Sequence, residues 1–368
     1  MLTLGIETSC DETSCAVLKG RDEILSNIVS SSLFRHQPFG GVVPEIASRH
    51  CLEQIDFVFQ EALQGAGCES SDLDLIAVTE GPGLIGSLLV GVSFAKSLSL
   101  QLQKPLIGVN HLEAHLAANF IGQDEPEKYA GLLVSGGHTS LSYHEKGKVL
   151  LLGATADDAV GEAYDKVAKI LGLGYPGGPI LDRLAQKGNP KAFRFTRPKQ
   201  KNRFDFSFSG VKTAVLYEAQ KRLYGTRRGR PGTSTPHSKG AWPLLFEKVP
   251  GLFGDDEKFV EDIAASFQRA VVTWLVEKTL DAARFKKVTD IVVGGGVSAN
   301  SQLRRRLEEE GLLRGLRIWF PPFSLTVDNA AMIARRGLEL YEKGKRDSLK
   351  LAPSTSLKMG ENPVSLRR

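Results

Sequence analysis

Cysteine is scarce and poorly placed. The chain has four in 368 residues, Cys10, Cys15, Cys51 and Cys68, all in its first fifth. They form no CxxC pair and meet no Cys/His cluster downstream, which excludes a cysteine-built framework and points to a reducing, cytoplasmic compartment. A basic leader is also lacking: MLTLGIETSCDETS reaches Glu7 without a Lys or Arg, so neither a secretory signal nor a transit peptide is expected. Long apolar runs are missing too. The longest, LIGSLLVGVSF at 84–94, is broken by Gly and Ser and stops before Lys96. A membrane span takes ~20 apolar residues, so no membrane association is expected. Neither a Ser-His-Asp nor a Cys-His arrangement can be read, which disfavours covalent catalysis by a side chain. The formal net charge of +5 is a mild basic excess. It is compatible with a nucleic-acid partner without requiring one.

The chain is long enough, and at 42% hydrophobic residues apolar enough, for two domains with real cores. Short apolar strands alternate with amphipathic helices, the pattern of an α/β protein with a mixed or parallel sheet. Two segments look alike. LTLGIE, a polar turn at 8–13 and SCAVLKG form one hairpin; GLLVSG, a turn at Gly137–His138 and TSLSYHE form the other, followed by the strand KVLLLGA. A third element, DIVVGGGVSANSQLRRRLEEE, runs from a strand through three glycines at 294–296 into a helix capped near Ser298 or Asn300. Two hairpin tips and a glycine-rich strand-to-helix turn can bring backbone N–H groups to one phosphorylated nucleotide, because glycine lets the backbone approach closely. Singly, each is an ordinary tight turn. The segment at 224–255 is rich in Gly, Pro, Ser and Arg and reads as an exposed insertion. Its Arg227, Arg228, Arg230 and Lys239 either meet RNA phosphates or remain a solvated loop.

The sharpest local signal is HLEAH at 111–115, within VNHLEAHLAANF, which reads as a helix. Histidines four apart share one helical face, one turn above each other, and can bind one metal ion; two histidines packing on a helix face satisfy the same spacing. Glu113 falls about 200° around the helix from His111. In HExxH peptidases the glutamate follows the first histidine directly. A peptidase base is therefore missing, and a zinc-peptidase reading is disfavoured. Two histidines hold a metal weakly, and spacing cannot choose a third ligand among 42 acidic residues. Asp328, before the apolar-patterned AAMIARRGLEL, reads locally as a helix N-cap. Asp157, Asp158, Glu162, Asp165 and Lys166, beside the turn YPGGP, suggest a pocket where carboxylates meet hydroxyls or amines.

Taken together, GIETSCDET (5–13), GGVVPEIASRH (40–50), GPGLIGSLLVG (81–91), HLEAH, LLVSGGHT (132–139), ADDAVGEAYDKVAKILGL (156–173), YPGGP, FSFSGVKTA and GGGVSAN resemble the TsaD family. These are the tRNA adenosine threonylcarbamoyltransferases, historically labelled O-sialoglycoprotein endopeptidases. The motifs cover about residues 1–215 and 260–340, in order. The resemblance implies an actin/Hsp70-like (ASKHA) α/β fold, two RNase H-like domains around a nucleotide and metal cleft. Residues 1–125 would form the first domain, with a C-terminal helix around 328–345 packing back on it; residues 126–327 would form the second. It implies one divalent metal per subunit, iron ahead of zinc, held by His111, His115 and Asp328. Adenylate contacts would fall on Val134, Ser135, Gly136, Gly137, His138, Asp165, Gly178 and Asn300, with Asp182 a further candidate at the ribose. The implied reaction moves a threonylcarbamoyl group from threonylcarbamoyl-AMP to the N6 amine of adenosine 37 in tRNAs that read codons beginning with adenine. TsaB and TsaE are the protein partners expected from the family. Two rival classes remain: the metallopeptidase of the older label, and a noncatalytic actin-like regulator, which would be expected to lack the histidines.

Overall fold

The computed structural model describes residues 1–198, 200–224 and 256–361. The basic insertion expected at 224–255 therefore lies, beyond Tyr224, outside the described residues.

Two five-stranded sheets carry the fold. The first comprises β1 (Leu2–Glu7), β2 (Glu12–Lys19), β3 (Glu23–Ser31), β4 (Leu75–Gly81) and β5 (Leu106–Asn110), in the order β3-β2-β1-β4-β5. The second comprises β6 (Lys128–Val134), β7 (Thr139–Glu145), β8 (Lys148–Ala154), β9 (Asp290–Gly294) and β10 (Arg317–Trp319), in the order β10-β9-β6-β7-β8. Counted from its own first strand, each sheet has the same plan: three antiparallel strands, then two joined in parallel. The architecture is the actin/Hsp70-like α/β fold.

Alternation decides which side of each strand meets which helices. Along β2, Cys15 and Val17 enter a core with Ile55, Val58 and Phe59 of α1 (Pro44–Ala66) and Val92 and Ala95 of α2 (Ile85–Leu102). Ala16, between them, faces the opposite core with Ala331, Met332 and Ile333 of α9 (Ala330–Glu342). The apolar run at 84–94 thus belongs to an 18-residue helix that continues through Lys96. By length and composition α2 is the one described helix that qualifies to span a membrane. Here Ser87, Leu88, Gly91, Val92 and Ala95 are buried, and a methyl group on Gly91 would strike Thr8 at the first hairpin tip.

The second sheet is covered on one face by α4 (Val160–Ile170), α5 (Gly177–Ala185), α6 (Ser209–Tyr224), α7 (Glu257–Lys286) and α8 (Ser301–Arg314), around the core of Leu132, Val134, Val167, Phe206, Phe267 and Leu275. Its other face meets α3 (His111–Ala117), a short helix with no solvent side of consequence. Ala114 and Ala118 pack toward the first sheet with Val109 and Ile333, whereas Leu112, Leu116 and Phe120 pack toward the second with Leu133 and Val292. The expected helix over VNHLEAHLAANF is shorter than its apolar pattern: Val109 and Asn110 complete β5, and Asn110 caps α3 by accepting from the Leu112 and Glu113 amides.

A buried ionic cluster pins α3 to α9. Arg336 pairs with both Glu113 and Glu339, Lys343 adds to Glu339, and Glu113 also accepts the Gly360 amide at 2.9 Å. Burial opposes the Glu339 carboxylate, but Arg336 and Lys343 hold its carboxyl below the usual range. That arrangement engages both oxygens of Glu113, which is therefore not placed as a peptidase base. Close approach governs the other contact of α9: a Cβ on Gly5 of β1 would run into the Ala330 carbonyl and the Ala334 amide.

Two outcomes test this packing. Gly5→Ala should cost about 1–3 kcal/mol of stability, as other overpacked cores do, and should be seen as a lower midpoint in urea unfolding. Arg336→Met strands two buried carboxylates and should cost about 3–5 kcal/mol. The folded Glu339 carboxyl titrates below its unfolded value of 4.5. Its contribution is therefore complete above that pH and is lost as the pH falls from there through the folded value of about 2. Stability measured against pH should show this acid limb in the wild type and a flatter one in Arg336→Met.

Candidate active site

The strand ends of both sheets converge on one cleft, as ligand sites in such sheets commonly do. The hairpin tip after β1 supplies residues 8–11, the tip after β6 supplies residues 135–138, β5 runs directly into α3, and β9 ends in the glycines 294–296. His111 and His115 stand on α3 as the four-residue spacing requires, both buried, with ring centroids 4.6 Å apart. Asp328 approaches from the segment before α9: its Oδ1 lies 3.6 Å from His111 Nε2 and 3.1 Å from His115 Nε2. Ligand atoms of all three residues fall within 4.8 Å of one another. The cap expected of Asp328 is made instead by Asn329, whose side chain accepts from the Met332 amide. Capping by the neighbouring residue frees the Asp328 carboxylate to face the histidines.

Two features fit a cation at this point. Neither ring nitrogen of buried His115 has a hydrogen bond of proper geometry, although Nε2 stands close to Asp328. An orphaned buried acceptor is costly unless something else satisfies it. His111, by contrast, is oriented from behind: its Nδ1 lies 2.9 Å from Glu7 Oε2 and 3.3 Å from Ser9 Oγ. Glu7 is wholly buried at the end of β1 and accepts from the Ser9 amide and, at 2.6 Å, from Thr79 Oγ1. Donation from Nδ1 to this fixed carboxylate leaves Nε2 as the lone-pair nitrogen toward Asp328, the usual arrangement of a metal-binding histidine.

Charge is balanced across the cluster. Burial opposes protonation of His111, but Glu7 and Asp328 outweigh it and push its pKa up to about 9. Burial likewise opposes ionisation of Asp328, yet His111, His115 and His138 hold its carboxyl well below the usual range. His138 is pushed down to about 4 by burial and by His111 and His115. A histidine and a carboxylate that favour each other's charged forms in this way can exchange the histidine's proton for a divalent cation.

Beside the cluster lies a cavity of about 400 Å³. Gly136, Asp165, Gly178, Asp182 and Asn300 line it, with Tyr164 and Val297. A Cβ on Gly136, Gly178 or Gly296 would meet open space, so the backbone itself faces the void there. Asp165 accepts the Gly177 amide at 2.7 Å; burial pushes its carboxyl up to about 6, against the pull of the Gly177 and Gly178 amides. Asp182 and Asn300 belong to one network: Asp182 accepts from Gln268 at 2.7 Å, Asn300 at 3.2 Å and Ser301, while Asn300 caps α8 through the Leu303 amide.

The remaining expected site residues lie elsewhere. Val134 is inside the second core, Ser135 and His138 close the tip on each other through their backbone, and Gly137 and His138 do not line the cavity; His138 turns to the metal cluster. Of the acid-rich group before YPGGP, only Asp165 faces the void. Asp158 is neutralised by Lys166 and Lys212, Glu162 pairs with Lys166, and Asp157 accepts from Ser207 and the amides of Phe208 and Ser209. Asp157 and Asp158 tie the turn before α4 to the FSFSG segment and to Lys212 of α6, while Glu162 pairs within α4. Glu7 and Glu12 are the residues that sequence reasoning missed. Burial raises the Glu12 carboxyl, and Asp11 and Asp328 raise it further. Both sit in the quoted GIETSCDET motif; a glutamate ending an apolar strand was the signal for Glu7.

A family model described as TsaD, tRNA N6-adenosine threonylcarbamoyltransferase, matches residues 23–335. A protein of that name from Thermosipho melanesiensis is 46% identical over 97% of this chain and 100% of its own length. Those from Thermosipho africanus and Dictyoglomus turgidum are 47% and 46% identical, each over 98% of this chain and all of their own length. Among solved structures, full-length HypF in a phosphate- and nucleotide-bound form overlays 94% of this chain and 47% of its own with a TM-score of 0.56 at 13% identity. The crystal structure of T. kodakarensis HypF overlays 93% of this chain and 48% of its own with a TM-score of 0.54 at 14% identity; both likenesses concern the fold.

Glu7→Gln keeps the shape of the residue that orients His111 and removes its charge. Metal affinity should fall roughly 10–100-fold, the usual loss when the partner behind a metal-binding histidine is changed. Competition with a chromophoric chelator measures this; affinity equal to the wild type would show that Glu7 does not orient the ligand.

Proposed function

The chain belongs to the TsaD family and is a tRNA-modifying transferase, and on that premise we propose that threonylcarbamoyl-AMP is its donor and that His111, His115 and Asp328 hold the metal used in the transfer. The observation that carries this reading is the convergence of those three ligands within 4.8 Å, with His111 oriented by Glu7, beside a cavity of about 400 Å³. When bound, the metal supplies a Lewis acid for the threonylcarbamoyl carbonyl.

The protein residues do the rest by positioning. The adenylate lies in the cavity, where Gly136 and Gly178 let its backbone-facing side come close and Asp165, Asp182 and Asn300 offer polar contacts to the nucleoside. Val134, Ser135, Gly137 and His138 act as the tip that sets the depth of Gly136. The mixed anhydride is already activated, so no side-chain nucleophile is required. The N6 amine of adenosine 37 bonds to the carbamoyl carbon and gives up one proton to solvent, the bond to the phosphate oxygen breaks, and AMP leaves with that oxygen. Two imidazoles and one carboxylate suit iron and zinc alike, and it is the family resemblance that puts iron ahead. Residues 1–125 with the C-terminal helix, and residues 126–327, act as the two halves that close on the donor. Partner proteins of the TsaB and TsaE type and a cytoplasmic setting follow from the family.

His111→Ala should lose the metal by elemental analysis and abolish formation of threonylcarbamoyladenosine, scored by nucleoside mass analysis, while keeping its circular dichroism. Undiminished modification by metal-free His111→Ala would overturn the assignment. The same elemental analysis of wild-type protein, purified without added metal, decides between iron and zinc.

A further inference from the structure

Between Gln186 and Phe204 the chain has seven Lys and Arg, at 187, 191, 194, 197, 199, 201 and 203, and no Asp or Glu. Apart from Lys199, which lies outside the described residues, this stretch crosses the surface of the second half without a regular helix or strand. It begins at the end of α5, whose Asp182 and Arg183 line the nucleotide cavity, and returns to the Phe206–Phe208 segment tied to Asp157. Arg197 pairs with Glu277 at 2.7 Å, Arg203 pairs with Asp281, and Lys187 lies 4.0 Å from Glu261. Lys191, Arg194 and Lys201 are exposed and have no ion pair among the described residues.

A cavity of about 400 Å³ opens in the same stretch, lined by Arg197, Pro198, Gln200, Asn202, Arg203 and Lys278. Three cations and two amides line it, with no carboxylate. Lys278 is 6% exposed, donates from its ammonium to the Arg203 carbonyl at 2.6 Å, and has no ion pair among the described residues. Asp205 and Asp281 are near enough to favour its charge, while burial and Arg197 oppose it. A buried cation left without a counter-ion is costly, and an arriving anion relieves it.

We infer that the strap 186–204 and the Lys278 cavity receive the phosphodiester backbone of the tRNA substrate. One small anion would fill the cavity but leave Lys191, Arg194 and Lys201 unmatched; a row of phosphates matches both. Phosphate contacts of this kind position a nucleic acid without reading its sequence, which suits an enzyme that must hold several tRNAs with one adenosine at its metal. The inference rests on the tRNA reading above.

The test uses the full chain in the assembly that supports modification, with fluorescence anisotropy of an unmodified tRNA transcript from 50 to 200 mM salt. The variants are Lys191→Gln with Arg194→Gln and Lys201→Gln; Lys278→Met; and a control, Lys19→Gln with Lys128→Gln and Lys148→Gln, that removes the same charge elsewhere. Each lost phosphate contact lowers the slope of log affinity against log salt by roughly 0.7–0.9, so the strap variant should be flatter by roughly 2–3. Across that range the wild type should then lose roughly 20–40 times more affinity than the strap variant. Lys278→Met should also bind more weakly. AMP binding by calorimetry and the thermal midpoint should be unchanged in both, and the control should bind tRNA as the wild type does. Wild-type affinity and slope in either variant, or an equal loss in the control, would overturn the inference while leaving tRNA modification standing. A wild-type assembly that neither binds nor modifies tRNA would overturn the functional reading itself.

Discussion

Everything at the cleft depends on one short helix held from two sides. The seven residues of α3 press Ala114 against the first sheet and Leu112 and Leu116 against the second, so the helix can neither slide nor turn without disturbing two cores. Its third face carries His111 and His115. A helix of this length has almost no stability of its own in water. It exists because Asn110 caps it, the two sheets bury it and the Glu113–Arg336–Glu339 cluster fastens it to α9. The same cluster positions the helix that follows Asp328, so Asp328 is set by the element that locks the two histidines.

Electrostatics then divides the work between the front and back of His111. Glu7, fixed by Thr79 and the Ser9 amide, takes one ring nitrogen, and the other is left facing Asp328. Holding the carboxylates of Glu7 and Asp328 on the two sides of one buried ring would be unfavourable in an apolar setting without positive charge between them. Two histidines supply part of it, and a divalent cation at the convergence of the ligands would supply the remainder. The cavity lined by Gly136, Asp165 and Gly178 adjoins this point because the hairpin tip after β6 and the glycines after β9 end at the same level as β1 and β5.

That alignment follows from the doubled plan of the sheets. In each half the first strand turns back through a tight tip, and the two tips, at 8–11 and 135–138, face each other across the cleft. The first tip serves the metal side, through Ser9 and the acids that follow it; the second serves the cavity through Gly136 and the metal side through His138. Similar local sequence thus produced two different chemical surfaces, since each tip meets a different helix: α2 crowds the first through Gly91, and α4 crowds the second through Gly161.

The sequence by itself determined the elements and the histidine pair. Strand alternation, the hairpin turns, the Asn300 cap and the four-residue spacing of His111 and His115 are all consequences of local periodicity and backbone preference, which act over a few residues and are therefore written in order along the chain. Family resemblance added Asp328 to that pair, where local pattern alone had read a cap. Tertiary structure alone decided the rest. That Asn329 caps α9 and so releases Asp328, that Glu7 stands behind His111 more than a hundred residues away, and that Asp158 and Glu162 are spent on lysines while Asp165 faces a void depend on which surfaces the two cores bring together. An acidic side chain has the same local signature whether it is neutralised, buried behind a ligand or turned to an open cavity. Only packing supplies the neighbours that distinguish these roles.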